Sequence, residues 1–135
     1  MAKVLIIDSD MAAAQQLKEA LAAQGVEAHV TGDGNDGLGL VKTYAPSCVV
    51  LCVELPRVSG YSICNKLKKD PALSAVPLIL TSSQATEETF EQHKKLKTRA
   101  EGYLKKPYDL GQLLALLGQH VPLKAAAATL GREPT

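Results

Sequence analysis

The chain has little sulfur and few aromatic residues: no tryptophan, one phenylalanine and three cysteines among 135 residues. Cys48 and Cys52 would lie about 13 Å apart in one predicted strand, at ~3.3 Å per residue, which is too far for a disulfide or a shared metal ion. No cysteine pair has the Cys-x-x-Cys spacing of a zinc site. Unpaired cysteines are typical of a reducing compartment, so we expect a cytoplasmic protein.

Strong net charge and long apolar runs are also missing. The formal net charge is +1, which gives no electrostatic reason to expect nucleic acid or an anionic membrane as a partner. No apolar stretch approaches the roughly 20 residues of a membrane span. The first eight residues lack the basic region and long apolar core of a secretion signal. The length suits one domain with a hydrophobic core.

Short apolar runs alternate with helical patterns from residue 1 to residue 120. The predicted strands are Val4–Ile7, Val26–Val30, Cys48–Val53, Pro77–Thr81 and Gly102–Lys105. The predicted helices cover 10–24, 34–44 and 61–69, and two more begin after Thr86 and Asp109. Alternating β and α units predict an α/β fold: a doubly wound (βα)5 domain whose five-stranded parallel sheet carries helices on both faces.

Residues 121–135 have a different character. Two prolines, a run of alanines and a glycine leave no periodic apolar face. We expect this segment to be a linker or disordered tail that leads to a further domain of a longer protein.

Four side chains are predicted at one edge of the sheet. Asp8, Cys52 and Thr81 lie at the ends of the first, third and fourth strands, and Lys106 follows the fifth. Functional groups gather at the carboxyl ends of parallel strands, so we expect these four to lie close together. Such residue types suit phosphoryl transfer to a carboxylate, which needs a metal ion held by acidic groups. It also needs a hydroxyl and an ammonium for the phosphoryl oxygens.

From residue 2 to about residue 120, the sequence resembles the response-regulator receiver family. The matching motifs are Val4-Leu-Ile-Ile-Asp8, Leu55-Pro56 with Gly60, Leu80-Thr81, and Gly102-Tyr-Leu-Lys-Lys106-Pro107. The resemblance implies a CheY- or flavodoxin-like three-layer sandwich that acts in phosphorelay (two-component) signal transduction.

The resemblance also shows what has been lost from the phosphorylation site. It places Asp8 and Ser9 at the acidic pair that holds the metal, and Glu54 where a backbone carbonyl contributes to that metal site. Cys52 stands at the phosphoacceptor position, and a thiol cannot form an acyl phosphate. Two of the three carboxylates are therefore absent, so we expect weak or no Mg²⁺ binding and no enzymatic activity.

Other matching positions concern switching. Thr81 matches the switch hydroxyl, Tyr103 the switch aromatic residue and Lys106 the invariant ammonium. The bond before Pro107 matches a peptide bond that is usually cis in the family. With no phosphate to bind, we expect Lys106 to form a direct ion pair with Asp8.

We therefore predict a pseudo-receiver, a phosphorylation-independent protein-interaction module of a signalling or motility protein. Two segments, Tyr61–Asp70 and Gln92–Ala100, resemble the atypical receiver domains of gliding-motility proteins of the FrzS type. We expect the partner surface on the fourth helix, fifth strand and fifth helix, with Tyr103 and Lys105 at its centre. The domain itself is expected to be a monomer or a weak dimer.

Two alternatives stay open. One is a working response regulator phosphorylated at Glu54, Asp10 or another carboxylate. The other is a redox sensor acting through Cys52, which would need an exposed thiol with a lowered pKa. A buried free cysteine is more often a small hydrophobic residue. The neighbourhood of His93, rich in lysine and glutamate, predicts a solvated helix face.

Overall fold

The computed structural model describes residues 2–123, within which five strands alternate with five helices. The strands are β1 (Lys3–Ile7), β2 (Glu27–Thr31), β3 (Cys48–Cys52), β4 (Leu78–Ser82) and β5 (Gly102–Lys105). The helices are α1 (Met11–Ala23), α2 (Gly34–Tyr44), α3 (Gly60–Lys69), α4 (Glu87–Lys94) and α5 (Leu110–Gly118). The predicted α/β fold is confirmed.

The sheet is fully parallel, with strand order β2-β1-β3-β4-β5. From β1 the chain runs outward to β2, then returns to β3 and continues in the other direction. The order thus reverses between β1 and β3, where a crevice forms outside the carboxyl ends of the strands. Ile7 pairs with Leu51 across these strands, so Asp8 and Cys52 both lie at this crevice.

Two apolar layers cover the sheet because its inner strands alternate between faces. Val4 and Ile6 pack toward α1 and α5, in one core that also contains Leu17 and Leu113. Leu5 and Ile7 pack on the opposite face against α2 and α3. The first helix buries Ala14, Leu17 and Leu21, whereas Met11, which the pattern places on the same stripe, is half exposed.

Each helix begins at a polar side chain that accepts a hydrogen bond from the first turn. These N-caps are Asp10, Asp33, Ser59, Thr86 and Asp109. The start of α3 lies directly against the end of β3. A Cβ atom at Gly60 would overlap the carbonyl oxygen of Cys52, so only glycine fits there.

A buried lysine joins α3 to the opposite edge of the sheet from the crevice. The Lys68 side chain is 6% exposed, and its ammonium donates to the carbonyls of Ser74 and Val76 and to both carboxylate oxygens of Glu101. Glu101 in turn accepts from the backbone N–H of Leu78 at 2.8 Å. This network holds the end of α3 against the starts of β4 and β5.

The packed domain extends beyond the predicted boundary at residue 120. Val121 and Leu123 are buried in the core beneath α1 and α5, because α5 ends at Gly118 and the chain turns back onto the sheet side. The predicted linker therefore begins no earlier than residue 124, and residues 124–135 lie outside the described part. No helix within residues 2–123 combines the length and apolar character of a membrane span.

Candidate functional site

A pocket of about 450 Å³ opens at the crevice between β1 and β3. Its lining includes Asp8, Cys52 and Lys106, so the structure brings together three of the four side chains predicted at this edge. Glu54 and Ser83 line it as well. The peptide bond between Lys106 and Pro107 is cis, as the family resemblance implied.

Asp8 and Lys106 form a direct ion pair at the floor of the pocket. The Lys106 Nζ lies 2.7 Å from Asp8 Oδ2, and the two side chains are only 13% and 7% exposed. Burial alone would lower the pKa of Lys106, but the hydrogen bond and charge of Asp8 outweigh it and raise that pKa. The predicted pair is present, and the ammonium is held by a carboxylate of its own chain.

The Cys52 thiol is buried beside this pair. Its Sγ lies 3.5 Å from the Lys106 Nζ and 3.7 Å from the carboxylate of Glu54. Burial and the negative charge of Asp8 raise the thiol pKa, and the opposing effect of Lys106 does not reverse the shift. A protonated, buried thiol is a poor nucleophile, so this geometry does not favour the redox alternative.

The Glu54 side chain turns into the pocket and takes up the hydrogen-bond donors at the end of β4. Its carboxylate accepts from the Ser82 hydroxyl at 2.5 Å and from the backbone N–H and hydroxyl of Ser83 at 2.9 and 3.2 Å. Burial would raise the pKa of Glu54, but these bonds lower it overall. The family resemblance gave Glu54 a backbone role, and one open alternative made its carboxylate a phosphoacceptor; its carbonyl accepts from the Ser9 hydroxyl at 3.4 Å.

Thr81 lies near the carboxyl end of β4, but it is not among the residues that line the pocket. Thr81 pairs with Cys52 in the sheet, but its hydroxyl is buried with no hydrogen-bond partner among residues 2–123. Its side chain lies on the same face of the sheet as that of its register partner Cys52, and the next residue, Ser82, supplies the hydroxyl that reaches Glu54. The strand ends at Ser82 and not at Thr81; placing its end one residue later would have identified Ser82.

Magnesium does not fit the residues present. Within residues 2–123, no group of three or more His, Cys, Asp or Glu side chains is arranged to hold a metal ion. The Asp8 carboxylate is neutralised by Lys106, and the neighbouring position carries the Ser9 hydroxyl. Mg²⁺ prefers carboxylate oxygens and water in octahedral geometry.

A second polar cluster lies beneath α4, away from the pocket. Tyr103 on β5 is half-buried; its hydroxyl accepts from the backbone N–H of Ala100 at 2.9 Å and bonds His93 Nδ1 at 2.5 Å. The other ring nitrogen of His93 contacts Asn65 Oδ1 at 3.3 Å. Because an amide oxygen only accepts, Nε2 carries the proton and the Tyr103 hydroxyl donates to Nδ1.

The predicted solvated position of His93 is therefore wrong. The residue is 6% exposed, its ring packs 5.0 Å from that of Tyr61, and burial lowers its pKa. The burial of His93 could not be predicted from the charged residues next to it in sequence, because the side chains that bury it come from α3 and β5. Lys105, the other residue predicted on the partner surface, is partly exposed on the edge strand and pairs with Glu87 at 3.1 Å.

The sequence matches the family described as the response regulator receiver domain over residues 4–118. It is 30% identical over 113 residues to the response regulator MprA of Mycolicibacterium vanbaalenii, covering 84% of this chain and 47% of that protein. It is 29% identical over 113 residues to the DNA-binding response regulator MtrA of Mycolicibacterium paratuberculosis, covering 84% and 48%. The chain thus spans about half the length of these relatives.

Two solved receiver domains superpose on this chain. The receiver domain of the Francisella response regulator 1452 superposes with a TM-score of 0.78 at 27% identity, covering 88% of this chain and 95% of that one. The receiver domain protein (CheY-like) of Methanospirillum hungatei superposes with a TM-score of 0.78 at 22% identity, covering 88% and 92%. The second likeness shows the fold alone.

Proposed function

Because the chain belongs to the response regulator receiver family of two-component signalling, we propose that it is a pseudo-receiver. In this proposal the domain binds a protein partner in a phosphorylation-independent manner and catalyses no reaction of its own. The acceptor position holds the buried thiol of Cys52, which cannot carry an acyl phosphate.

Two carboxylates of the chain already bind donors in the pocket where a phosphoryl group would have to enter, and this arrangement is the main support for the proposal. The ammonium of Lys106 is bound to Asp8. The hydroxyl of Ser82 and the backbone N–H of Ser83 are bound to Glu54. A phosphoryl group would have to displace both carboxylates from charge-assisted hydrogen bonds, which are roughly twice as strong as neutral ones.

We place the partner surface on the α4–β5–α5 face, with Tyr103 and Lys105 at its centre. In residues 2–123, α4 is the shortest helix and buries only Phe90 and His93, so few apolar contacts hold it to the domain. Elements with few buried contacts open and adapt most readily. A shallow groove on β5 and α5 adds apolar surface from Leu104 and Leu116.

We also propose the kind of protein in which the domain acts and its location in the cell. The likeness of the α3 and α4 segments to FrzS-type receivers supports a role in a signalling or motility protein. The three cysteines are all free and buried, which supports a location in the reducing cytoplasm.

The activity of a longer protein that contains this domain is a separate proposal. One relative is named a DNA-binding response regulator, yet the match covers only 48% of it. We propose that the domain itself does not bind nucleic acid, in keeping with the net charge of +1 of the chain. A mobility-shift assay of the present chain with duplex DNA is expected to show no complex at physiological salt.

Incubation with acetyl phosphate, with and without Mg²⁺, tests phosphorylation independence directly. We expect the intact mass to stay unchanged under both conditions. A stoichiometric, hydroxylamine-labile phosphate would instead support the alternative of a regulator that uses a non-standard carboxylate. The variants Glu54→Gln and Asp10→Asn then identify the acceptor, because only the loss of the true acceptor abolishes the added mass.

A further inference from the structure

The segment after α4 carries cations without acidic partners. Lys95, Lys97 and Arg99 are all exposed, and none of them forms an ion pair with another residue in the range 2–123. By contrast, Lys94 pairs with Glu91 at 2.9 Å. Three unpaired cations within five residues make a local positive patch on a chain whose net charge is +1.

Helix electrostatics explain only part of this patch. A helix C-terminus attracts cations within its last turn, which accounts for Lys95 at the C-cap of α4. Lys97 and Arg99 lie beyond the helix. Between them Thr98 is fixed to α3: its hydroxyl donates to Asn65 at 2.7 Å, and its carbonyl accepts from the Cys64 thiol at 3.3 Å. The two cations therefore project from an anchored backbone.

An apolar groove runs beside the patch. It has a volume of about 360 Å³, lies between α3 and α4, and is lined by Tyr61, His93 and Leu96, with Thr89 and Gln92 at its edge. Leu96 is 45% exposed and is one of two large exposed hydrophobic residues in the described part of the chain. The packed rings of Tyr61 and His93 give the groove a fixed wall.

We infer that this surface, the Leu96 groove with Lys95, Lys97 and Arg99, binds an acidic peptide segment of a partner protein. An apolar side chain of the peptide enters the groove, and neighbouring carboxylates meet the three cations. The inference rests on the proposed function, since it names the chemistry of the partner, and it extends the partner surface across α4 toward α3.

Charge complementarity favours a peptide over a nucleic acid. The first half of α4 exposes Glu87, Glu88 and Glu91, which would repel a phosphate backbone that continued past the patch. Single-stranded nucleic acid requires a longer positive groove with aromatic faces free for stacking. A short acidic segment with one apolar anchor needs only the features present, an anchoring pocket and a charged rim.

Selection from a random-sequence peptide-display library tests the inference with no partner assumed. Peptides enriched on the present chain are expected to be rich in Asp and Glu around one apolar residue. The affinity of an enriched peptide is then measured by fluorescence anisotropy against variants. The double variant Lys97→Glu, Arg99→Glu is expected to bind about tenfold more weakly, because two exposed ion pairs become repulsive. Leu96→Ala is expected to weaken binding by a factor that does not depend on salt, because it removes only apolar contact.

The matched control is Lys18→Glu, which reverses an exposed charge on α1, the helix on the opposite face of the sheet. It is expected to leave the affinity within about twofold. All changed residues are exposed, so equal thermal unfolding verifies that the variants are folded.

Three results would overturn the inference. The first is no enrichment of acidic peptides, and the second is equal weakening of binding by Lys18→Glu and by the double variant. The third is displacement of the labelled peptide by duplex DNA at a lower concentration than unlabelled peptide requires. The first two leave the proposed phosphorylation independence unaffected, since that depends on the acetyl phosphate experiment; displacement by DNA would also contradict the proposal that the domain does not bind nucleic acid. Stoichiometric phosphorylation would reject the proposed function even if acidic peptides bound.

Discussion

The hydroxyl of Ser82 donates a 2.5 Å hydrogen bond to the carboxylate of Glu54 at the end of β4. The same carboxylate accepts from the backbone N–H of Ser83. An anion of the chain therefore occupies hydrogen-bond donors at the end of β4, beside the acceptor position. In the proposed pseudo-receiver, this occupation adds to the effect of the missing acidic residues.

Rebuilding the acceptor alone should therefore fail to restore efficient phosphorylation. The double variant Ser9→Asp, Cys52→Asp regains the acidic set, but Glu54 still holds Ser82 and Ser83. Adding Glu54→Asn is expected to raise the rate of Mg²⁺-dependent phosphate incorporation about tenfold, since one charged hydrogen bond contributes about 1.5–3 kcal/mol. Intact-mass time courses with acetyl phosphate measure both rates. Equal rates would show that Glu54 does not obstruct the site, and Glu54→Asn alone serves as the negative control.

The ion pair at the pocket floor should matter for stability. Lys106→Met leaves the buried Asp8 carboxylate without its partner, so we expect the free energy of unfolding to fall by about 3 kcal/mol. The double variant Asp8→Asn, Lys106→Met should recover much of this loss, because no uncompensated charge remains. Urea unfolding of the unchanged chain, Asp8→Asn, Lys106→Met and the double variant gives the coupling energy of the pair. Purely additive effects would mean that the pair does not act as a unit.

The cysteines should be inert in the folded protein and should limit its stability at alkaline pH. Burial raises the pKa values of Cys48 and Cys64 to about 12, and it also raises that of Cys52. These thiols lose protons first in the unfolded chain, so the stability that they contribute below pH 9 is lost as pH rises toward 12.

Native titration with a thiol reagent at pH 8 is expected to show no fast-reacting cysteine, and all three should react in denaturant. The variant Cys48→Val, Cys64→Val should show a shallower alkaline decline in unfolding free energy. One fast thiol that disappears in Cys52→Ser would instead support a redox role.

His93 should make the domain sensitive to mild acid. Burial lowers its pKa, so the unfolded chain binds a proton first as pH falls below about 6.5. The free energy of unfolding is then lost at up to about 1.4 kcal/mol per pH unit until the folded-state pKa is reached. His93→Leu should remove this decline between pH 7 and 5.5, as followed by urea unfolding at each pH. An unchanged slope in His93→Leu would show that another group is responsible.

The buried lysine on α3 offers a sharp contrast with its neighbour. Lys68→Met leaves the carbonyls of Ser74 and Val76 and the Glu101 carboxylate without their shared donor, and we expect a loss of about 3 kcal/mol in unfolding free energy. Lys69→Met, one residue later and exposed, should change it by less than about 0.5 kcal/mol. Similar effects of the two substitutions would mean that the network contributes little. Thermal unfolding distinguishes the cases.

Most of the fold follows from local signals. Strands buried on both faces read as continuous apolar runs, and a polar cap marks each helix start, so α2 spans the predicted residues 34–44. Asp8, Cys52 and Lys106 were placed together because adjacent parallel strands end at one edge. Thr81 lies opposite Cys52 near the end of β4, but the hydroxyl that bonds Glu54 belongs to Ser82, the residue after it.

The side chains of Glu54 and His93 depend on contacts that no local pattern encodes. The Glu54 carboxylate bonds Ser82, which lies 28 residues further along the chain. Glu54 belongs to a loop in which Arg57 adopts a positive φ of 70°, a conformation uncommon outside glycine. His93 is buried by Asn65 on α3 and Tyr103 on β5. Both positions are fixed by residues distant in sequence, and for His93 the charged residues around it indicated a solvated helix face.

The close approach of Gly60 to the main chain of Cys52 has a consequence for how such a site can change over generations. The backbone at position 52 is held by its pairing with Thr81 in the sheet and by the close approach of Gly60 at the start of α3. Replacement of an acceptor there can therefore leave the scaffold intact. Natural selection can then act on the outer surface of the domain after it has ceased to act on phosphorylation. Gly60 is still required, because α3 must pack against the end of β3.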